Sequence, residues 1–197
     1  MFNGIVQGVG IIEKIILENK KLISIKTNLN LNDCKIGSSI LCDGICLTIV
    51  KIKKNKKYFI FSVNISEETN NKSNLKYWKL NSKINLEKSL KLNQEISGHF
   101  VYGHIDCTSK LIKINNLKNS WEMFFSYPSL KNKKYISKKG SIAINGISLT
   151  IANLFKNNFS VSIISHTFYN TNLSTLKIND NVNLEFDMLA RYVFNRK

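Results

Sequence analysis

The chain contains the same pattern twice. Gly44-Ile45-Cys46-Leu47-Thr48-Ile49 returns as Gly146-Ile147-Ser148-Leu149-Thr150-Ile151, 102 positions further on. Phe61-Ser62-Val63 returns as Phe159-Ser160-Val161, Thr69 as Thr167, and Asn85-Leu86-Glu87 as Asn183-Leu184-Glu185, all at a spacing of 98. Gly4-Ile5-Val6 lines up with Gly103-His104-Ile105 at a spacing of 99, which opens the second copy near Ser97, after the polar stretch 91–95. Two such copies are too few and too long for a solenoid, whose stacked units run to about 20–50 residues. The repeat therefore predicts two similar domains, 1–97 and 98–187, followed by a tail, 188–197.

The local signal within each copy is short strands. Leu22-Ile23-Ser24-Ile25-Lys26-Thr27 and Tyr58-Phe59-Ile60-Phe61-Ser62-Val63 mix β-branched and aromatic residues with partial alternation, and clusters such as 53–57 separate them. About six short strands in a unit this size can close into a barrel, which removes the exposed edges that invite aggregation. Helices are expected to be few and short. Candidates are Ser66-Glu67-Glu68-Thr69, where the serine can cap a first turn carrying two acids, its counterpart Ser165-His166-Thr167, and the tail. There Met188, Leu189, Tyr192 and Val193 share one helical face.

Composition narrows the function classes. With 43% hydrophobic residues but no apolar run near the roughly 20 residues a membrane span requires, the chain is expected to be a soluble, cytoplasmic globular protein without membrane association. The first ten residues hold no lysine or arginine, unlike the start of an export signal. The formal charge of +16 would concentrate phosphate backbones, yet nearly all of it is lysine, with Arg191 and Arg196 the two arginines. Base readers use the bidentate arginine fork. The lysines also travel with many asparagines and isoleucines and the single proline Pro128, a bias that AT-rich coding produces at tolerant surface positions. A solvated lysine-rich surface, with no nucleic-acid partner, is the reading adopted. Cys34, Cys42, Cys46 and Cys107 lack the paired spacing of a zinc site and read as free thiols, so no metal is expected.

No phosphate-binding glycine loop or nucleophile elbow occurs; the chemical information lies in paired positions. Gly44 and Gly146 permit close approach or a positive φ, and Thr48 and Thr150 offer hydroxyls of either hydrogen-bonding sense. Two readings of the Gly-Ile-x-Leu-Thr-Ile segment stay open: each copy holds a small polar molecule, or the segment is a turn entering a buried strand.

Met1-Phe2-Asn3-Gly4-Ile5-Val6, the paired Gly-Ile-Cys-Leu-Thr and Gly-Ile-Ser-Leu-Thr, Gly98-His99-Phe100-Val101-Tyr102-Gly103-His104-Ile105, and Asn183-Leu184-Glu185-Phe186-Asp187 with the following Leu-Ala-Arg-Tyr together resemble the riboflavin synthase α chain over essentially the whole length. The resemblance implies an all-β fold of two tandem six-stranded antiparallel Greek-key barrels plus a short C-terminal helix. It implies a transferase that dismutates two 6,7-dimethyl-8-ribityllumazine molecules by four-carbon transfer, giving riboflavin and 5-amino-6-ribitylaminouracil without an external cofactor. It also implies a homotrimer, active sites where one subunit's first barrel faces a neighbour's second barrel and two lumazines meet, and possible association with lumazine synthase. Substrate-binding positions carried over are Gly4, Ile5, Val6, Cys46, Leu47, Thr48, Asn64, Ile65, Ser66, Glu67, Glu68 and Thr69 from the first half. The second half supplies Gly103, His104, Ile105, Lys139, Ser148, Leu149, Thr150, Ser162, Ile163, Ile164, Ser165, His166 and Thr167.

The substrate's C7 methyl is acidic because the ring delocalises the carbanion, so such a site chiefly positions two rings and moves protons. His104 is expected to transfer a proton or orient a partner, with His99 supporting it, against the alternative that either is a structural histidine. Cys46 and Ser148 occupy equivalent places yet differ, and a dismutation needs one donor and one acceptor. A nucleophile or hydroxide adding at C7 and a hydroxyl assisting methyl deprotonation are the roles for this pair, with a buried apolar thiol as the alternative for Cys46. Asp187 is expected to bind a ribityl hydroxyl or orient Ser148, against a solvated carboxylate. Asn3, Ser97, Tyr102 and the Ser165-His166-Thr167 segment depart from the family pattern. The competing class is a lumazine- or flavin-binding antenna protein, which shares the duplicated barrel but turns nothing over.

Overall fold

The computed structural model describes residues 1–16 and 22–195; Arg196 lies outside the described residues. The first barrel is built from β1 (Gly8–Ile16), β2 (Leu22–Thr27), β3 (Ser39–Cys42), β4 (Ile45–Lys54), β5 (Phe59–Asn64) and β6 (Lys83–Lys88), closed in the order β1-β2-β5-β4-β3-β6. The second uses β7 (Cys107–Leu117), β8 (Ser120–Ser126), β9 (Ser141–Ile144), β10 (Ile147–Leu154), β11 (Asn158–Ile164) and β12 (Asn181–Phe186), closed as β10-β11-β8-β7-β12-β9, the same order read around the ring. All strand pairs are antiparallel. β2 has the bounds read from its alternation, whereas β5 sits one residue later than expected and β4 continues through Lys54, into the lysine cluster anticipated as a separator.

Inward positions fill each barrel. Ile12, Ile25, Ile49, Phe61 and Leu86 form one core, and Leu111, Phe125, Phe159, Val161 and Leu184 form the other, all fully buried. Alternation along β4 sends Ile45, Leu47 and Ile49 inward and turns Cys46 and Thr48 out; β10 does the same with Ile147, Leu149, Ile151 against Ser148 and Thr150. The steps in repeat spacing have structural causes. The β4–β5 hairpin is longer than the β10–β11 hairpin, and the second barrel inserts a 3₁₀ turn, Leu130–Tyr135, before β9.

The Gly-Ile-x-Leu-Thr-Ile repeat begins in a two-residue hairpin loop. Asp43-Gly44 joins β3 to β4 with φ of 47° and 81°, and Asn145-Gly146 joins β9 to β10 with φ of 45° and 75°. Positive φ at both central residues defines a type I′ turn, for which Asp-Gly and Asn-Gly are the preferred pairs. The two turns meet at the local two-fold between the barrels, where a Cβ on Gly44 would stand 2.7 Å from the Gly146 nitrogen. Around them lies a buried amide network obeying the same two-fold. Asn85 and Asn183 accept the backbone N–H of Asn172 and Asn74, both at 2.7 Å, and donate Nδ2 to the carbonyls of Asn145 and Asp43 at 3.0 and 2.8 Å. Asp43, buried as deeply, occupies the place that Asn145 fills in the other barrel. Burial pushes its carboxyl well above the ordinary range, and Oδ1 accepts the Asn85 N–H at 2.7 Å.

Candidate active site

Two short arms, each preceding the first strand of its barrel, build the site. They pair with one another: Phe2 and Val101 exchange both backbone hydrogen bonds, at 2.8 and 3.0 Å, and pack fully buried against Leu41 and Ala143. Each arm then crosses to the opposite barrel. The Gly4 carbonyl accepts the Ser148 N–H at 2.8 Å, and the Gly103 carbonyl accepts the Cys46 N–H at 2.9 Å. The approach is close enough to exclude a side chain, since a Cβ on Gly103 would lie 2.4 Å from Cys46 Cβ and one on Gly4 2.7 Å from Ser148 Cβ. Gly4 and Gly103 also hold φ of 75° and 82°, which an L side chain resists. Each site is consequently composite. Gly4, Ile5 and Val6 belong with Ser148, and Gly103, His104 and Ile105 with Cys46, a grouping that runs across the two halves.

The Cys46 site is a cavity of about 510 Å³ lined by Ile45, Cys46, Glu68, Thr69, Lys72, Ser73, Gly103, His104 and Ile105. Helix α1 (Glu67–Lys72) forms one wall: Ser66 caps it, accepting the Thr69 N–H at 3.1 Å, and Glu68 pairs with Lys72 at 2.8 Å. The expected cap is thus present. Thr48, Asn64, Ser66 and Glu67 are exposed outside that lining, while Leu47 points into the core and Ile65 packs against it, so Leu47 can offer a ligand only its backbone.

The Ser148 site is not a chemical copy. His99 Nδ1 lies 2.6 Å from Ser148 Oγ. Burial pulls the His99 pKa down, partly opposed by the nearby Asp187 carboxylate, so the ring is held neutral and able to accept a hydroxyl proton. His99 thus serves Ser148, not His104. His104 is exposed, lines the Cys46 cavity and donates its backbone N–H to Glu185 at 3.1 Å. Asp187 caps the tail helix α3 (Met188–Asn195), accepting the Leu189 N–H at 2.9 Å; the contact with Ser148 is made by His99 instead.

Beside Ser148's arm lies a second cavity of about 550 Å³, lined by Val6, Gln7, Gly8, Lys83, His166, Asn170 and neighbouring residues of β1 and helix α2 (Ser165–Asn170). His166 and Asn170 stand where Glu68 and Lys72 stand in the first copy, so a charged pair there becomes an uncharged contact here, Asn170 Nδ2 donating to the His166 carbonyl at 2.8 Å. The equivalent of the capping Ser66 is Ile164, and α2 has no side-chain cap; Ser165 Oγ bonds the Asn119 carbonyl at 3.2 Å. Ser162, Ile164, Ser165 and Thr150 are exposed and Thr167 half-buried, while Ile163 and Leu149 point into the core. Lys139 is exposed with φ of 66°, its backbone N–H bonded to the Ile151 carbonyl at 2.9 Å beyond the lining of either cavity. Asn3 fits its place: Oδ1 accepts the Ile5 N–H at 3.2 Å and Nδ2 donates to the Glu95 carbonyl at 3.2 Å, bracing the arm from both sides. The residues not anticipated are Glu87 and Glu185, which hold the arms and were visible only as the last members of the repeated Asn-Leu-Glu triplet. Among the described residues no cluster of histidine, cysteine and carboxylate is able to hold a metal ion.

A duplicated barrel with a small-molecule cavity at each crossed arm defines a class, and a family profile described as "Lumazine binding domain" matches residues 3–89 and again 102–187. The chain belongs to the lumazine-binding domain family, in the branch formed by the riboflavin synthases, and is an enzyme, a transferase. It is 35% identical over 195 residues to the riboflavin synthase of Photobacterium phosphoreum, covering 98% of this chain and 87% of that one. It is 35% identical over 199 residues to that of Bacillus subtilis (strain 168), covering 98% and 88%. Among solved structures, LumP complexed with riboflavin superposes with a TM-score of 0.80 at 25% identity, covering 94% of this chain and 99% of that one. LumP complexed with 6,7-dimethyl-8-(1'-D-ribityl) lumazine gives 0.79 at the same identity and coverage.

Proposed function

We propose that the chain converts two molecules of 6,7-dimethyl-8-ribityllumazine into riboflavin and 5-amino-6-ribitylaminouracil. The observation that carries this reading is the pair of composite sites, equivalent in backbone and different in chemistry. Two identical molecules entering them meet different groups, as a dismutation requires. At the second site the neutral His99 accepts the Ser148 hydroxyl proton, so the oxygen can take up a proton from the acidic C7 methyl of the donor. At the first site Cys46, or a hydroxide held beside it, adds at C7 of the acceptor and is expelled again as the new ring closes, with His104 at the cavity wall to exchange protons. The four-carbon unit leaves one ring and joins the other, and the atoms of two substrates equal those of the two products, so no redox partner enters the balance.

The domains divided near residue 97 each bind one lumazine through the backbone of their Gly-x-x-Leu-Thr segments and through the arm of the other. The two sites reach one another across subunits of a homotrimer in the cytoplasm, where association with lumazine synthase would shorten the path of the substrate. Support for assembly comes from α3, where Leu189, Tyr192 and Val193 are 72%, 67% and 69% exposed on one face. The competing reading, a non-catalytic lumazine- or flavin-binding antenna protein, requires binding without turnover. Incubating the purified chain with the lumazine and following riboflavin absorbance separates them: riboflavin should accumulate with no flavin, nicotinamide or metal added, and unchanged bound lumazine would overturn the enzymatic reading.

A further inference from the structure

Glu87 on β6 and Glu185 on β12 are each 2% exposed, and among the described residues neither forms a salt bridge. Their oxygens are taken up by the arms. Glu87 accepts the Asn3 N–H at 2.8 Å and the Gly4 N–H at 3.0 Å. Glu185 accepts the N–H groups of Tyr102 at 2.7 Å, Gly103 at 2.8 Å and His104 at 3.1 Å. A carboxylate chelating successive amides fixes a backbone more firmly than neutral contacts do, since hydrogen bonds to a charged acceptor are shorter and stronger than those between neutral groups. The arm so held then bonds a strand of the other barrel: Gly4 to Ser148, Gly103 to Cys46.

We propose that Glu87 and Glu185 are positioning residues that act crosswise. Glu87, in the first barrel, sets the Ser148 site of the second, and Glu185, in the second barrel, sets the Cys46 site of the first. Neither touches substrate; each fixes the arm that completes the opposite pocket. Burial raises both carboxyls to about 7, against the pull of the amide donors and of the nearby positive charges. The charges facing them are the chain's amino group for Glu87, and Arg191 and Asp106 for Glu185. The ligand part of the test rests on the lumazine-binding reading above; the hydrogen-exchange part does not.

The test compares the full-length chain with Glu87→Gln and Glu185→Gln, in which an amide NH₂ faces backbone donors. In amide hydrogen exchange without ligand, Glu87→Gln should speed exchange tenfold or more at the Ser148 N–H, leaving the Cys46 N–H at the parental rate, and Glu185→Gln should do the reverse. In titration with 6,7-dimethyl-8-ribityllumazine, each variant should weaken one of two sites by at least tenfold. Protection of Cys46 from iodoacetamide, located by mass spectrometry, says which: saturating lumazine should still shield Cys46 in Glu87→Gln and no longer in Glu185→Gln. Exchange or protection that changes on the carboxylate's own barrel, or equally on both, would overturn the crosswise assignment. A parent chain that binds no lumazine would overturn the ligand reading, while the exchange experiment still decides the positioning. Should a glutamine variant fail to fold, Glu87→Asp and Glu185→Asp keep the anion at shorter reach, and the same crossed exchange pattern decides.

Discussion

The twin positions Cys46 and Ser148 set the residue-scale expectations. Ser148→Ala removes the oxygen bonded to His99, the atom proposed to take up the C7-methyl proton, so turnover should fall on the order of 10- to 1000-fold. Cys46→Ser keeps a polar atom of similar size and should cost less; single-turnover kinetics that find both variants at the parental rate would discard the polar roles. The arm carboxylates make a second prediction, in which stability and binding respond oppositely to pH. Both rise from an ordinary 4.5 to about 7 on folding. A raised folded pKa means that the native state binds more protons between those values, so this contribution to stability is complete below about 4.5 and is lost as pH rises through about 7. The arms, however, are best held by the ionised form, so lumazine affinity should decline as pH falls below about 7 even while these groups favour folding. Parallel urea titrations and fluorescence titrations between pH 5 and 8 would show whether the two trends diverge. Aligning the two copies makes the pairing of Cys46 with Ser148 and of Gly44 with Gly146 legible, whereas His104 follows only from the resemblance to the family. In sequence His99 reads as a support for His104 and in the structure it lies against Ser148, because it has no equivalent in the first copy to mark its place; Glu87 and Glu185 mark the repeat spacing alone, since a carboxylate's amide partners some 83 residues away leave no local pattern.

At the scale of elements, the two type I′ turns place the strands and also dock the barrels, so the two readings of the Gly-Ile-x-Leu-Thr-Ile segment are compatible. The segment is a turn entering a buried strand, and of its outward residues Cys46 lines a cavity while Ser148 meets His99. Gly44→Ala should be disproportionately harmful, because it strains a left-handed φ of 81° and drives a Cβ to 2.7 Å from the Gly146 backbone. A loss of at least about 2 kcal/mol is expected from strain and overpacking together, and a thermal melt within a degree of the parent would contradict it. Asp43→Asn should do the opposite. It installs the residue that position 145 already carries, keeps an oxygen for the Asn85 N–H, and removes a buried acid whose ionisation costs stability as pH rises. The variant should melt higher than the parent at pH 9, and the gap should narrow steadily as pH falls toward about 4, where the folded and unfolded carboxyls both hold their proton; a gap that does not change with pH would mean that folding does not raise the Asp43 pKa. Strands such as Leu22–Thr27 and the Ser66 cap could be read directly, because alternation and capping are local. The 3₁₀ turns and the amide network could not, since Asn74, Asn85, Asn172 and Asn183 derive their meaning from contacts between barrels.

For the whole molecule the outward face of α3 sets the expectation for assembly. The helix is fixed at its base: Arg191 pairs with the half-buried Asp106 at 2.5 Å, Asp187 caps the Leu189 N–H, and Phe194 meets Tyr135 edge-on at 6.3 Å. Met188 is half-buried, which leaves Leu189, Tyr192 and Val193 as an outward apolar stripe. A helix of eight residues is marginal in water, and three such side chains give up to about 1.5–3 kcal/mol each when buried, an upper bound. That is enough to hold subunits together only if three or more tails contribute at once, the arrangement a trimer provides. Deleting everything after Asp187 should therefore release monomers that bind lumazine at isolated sites and turn it over poorly. Because the deletion also strips Arg191 from Asp106, the cleaner variant is Leu189→Lys with Val193→Lys, which charges the stripe and leaves the base contacts in place. Sedimentation velocity beside a turnover assay decides it: the double variant should sediment as a monomer at micromolar concentration with riboflavin formation reduced at least tenfold, whereas a fully active trimer would show that the tail is not what holds the subunits together.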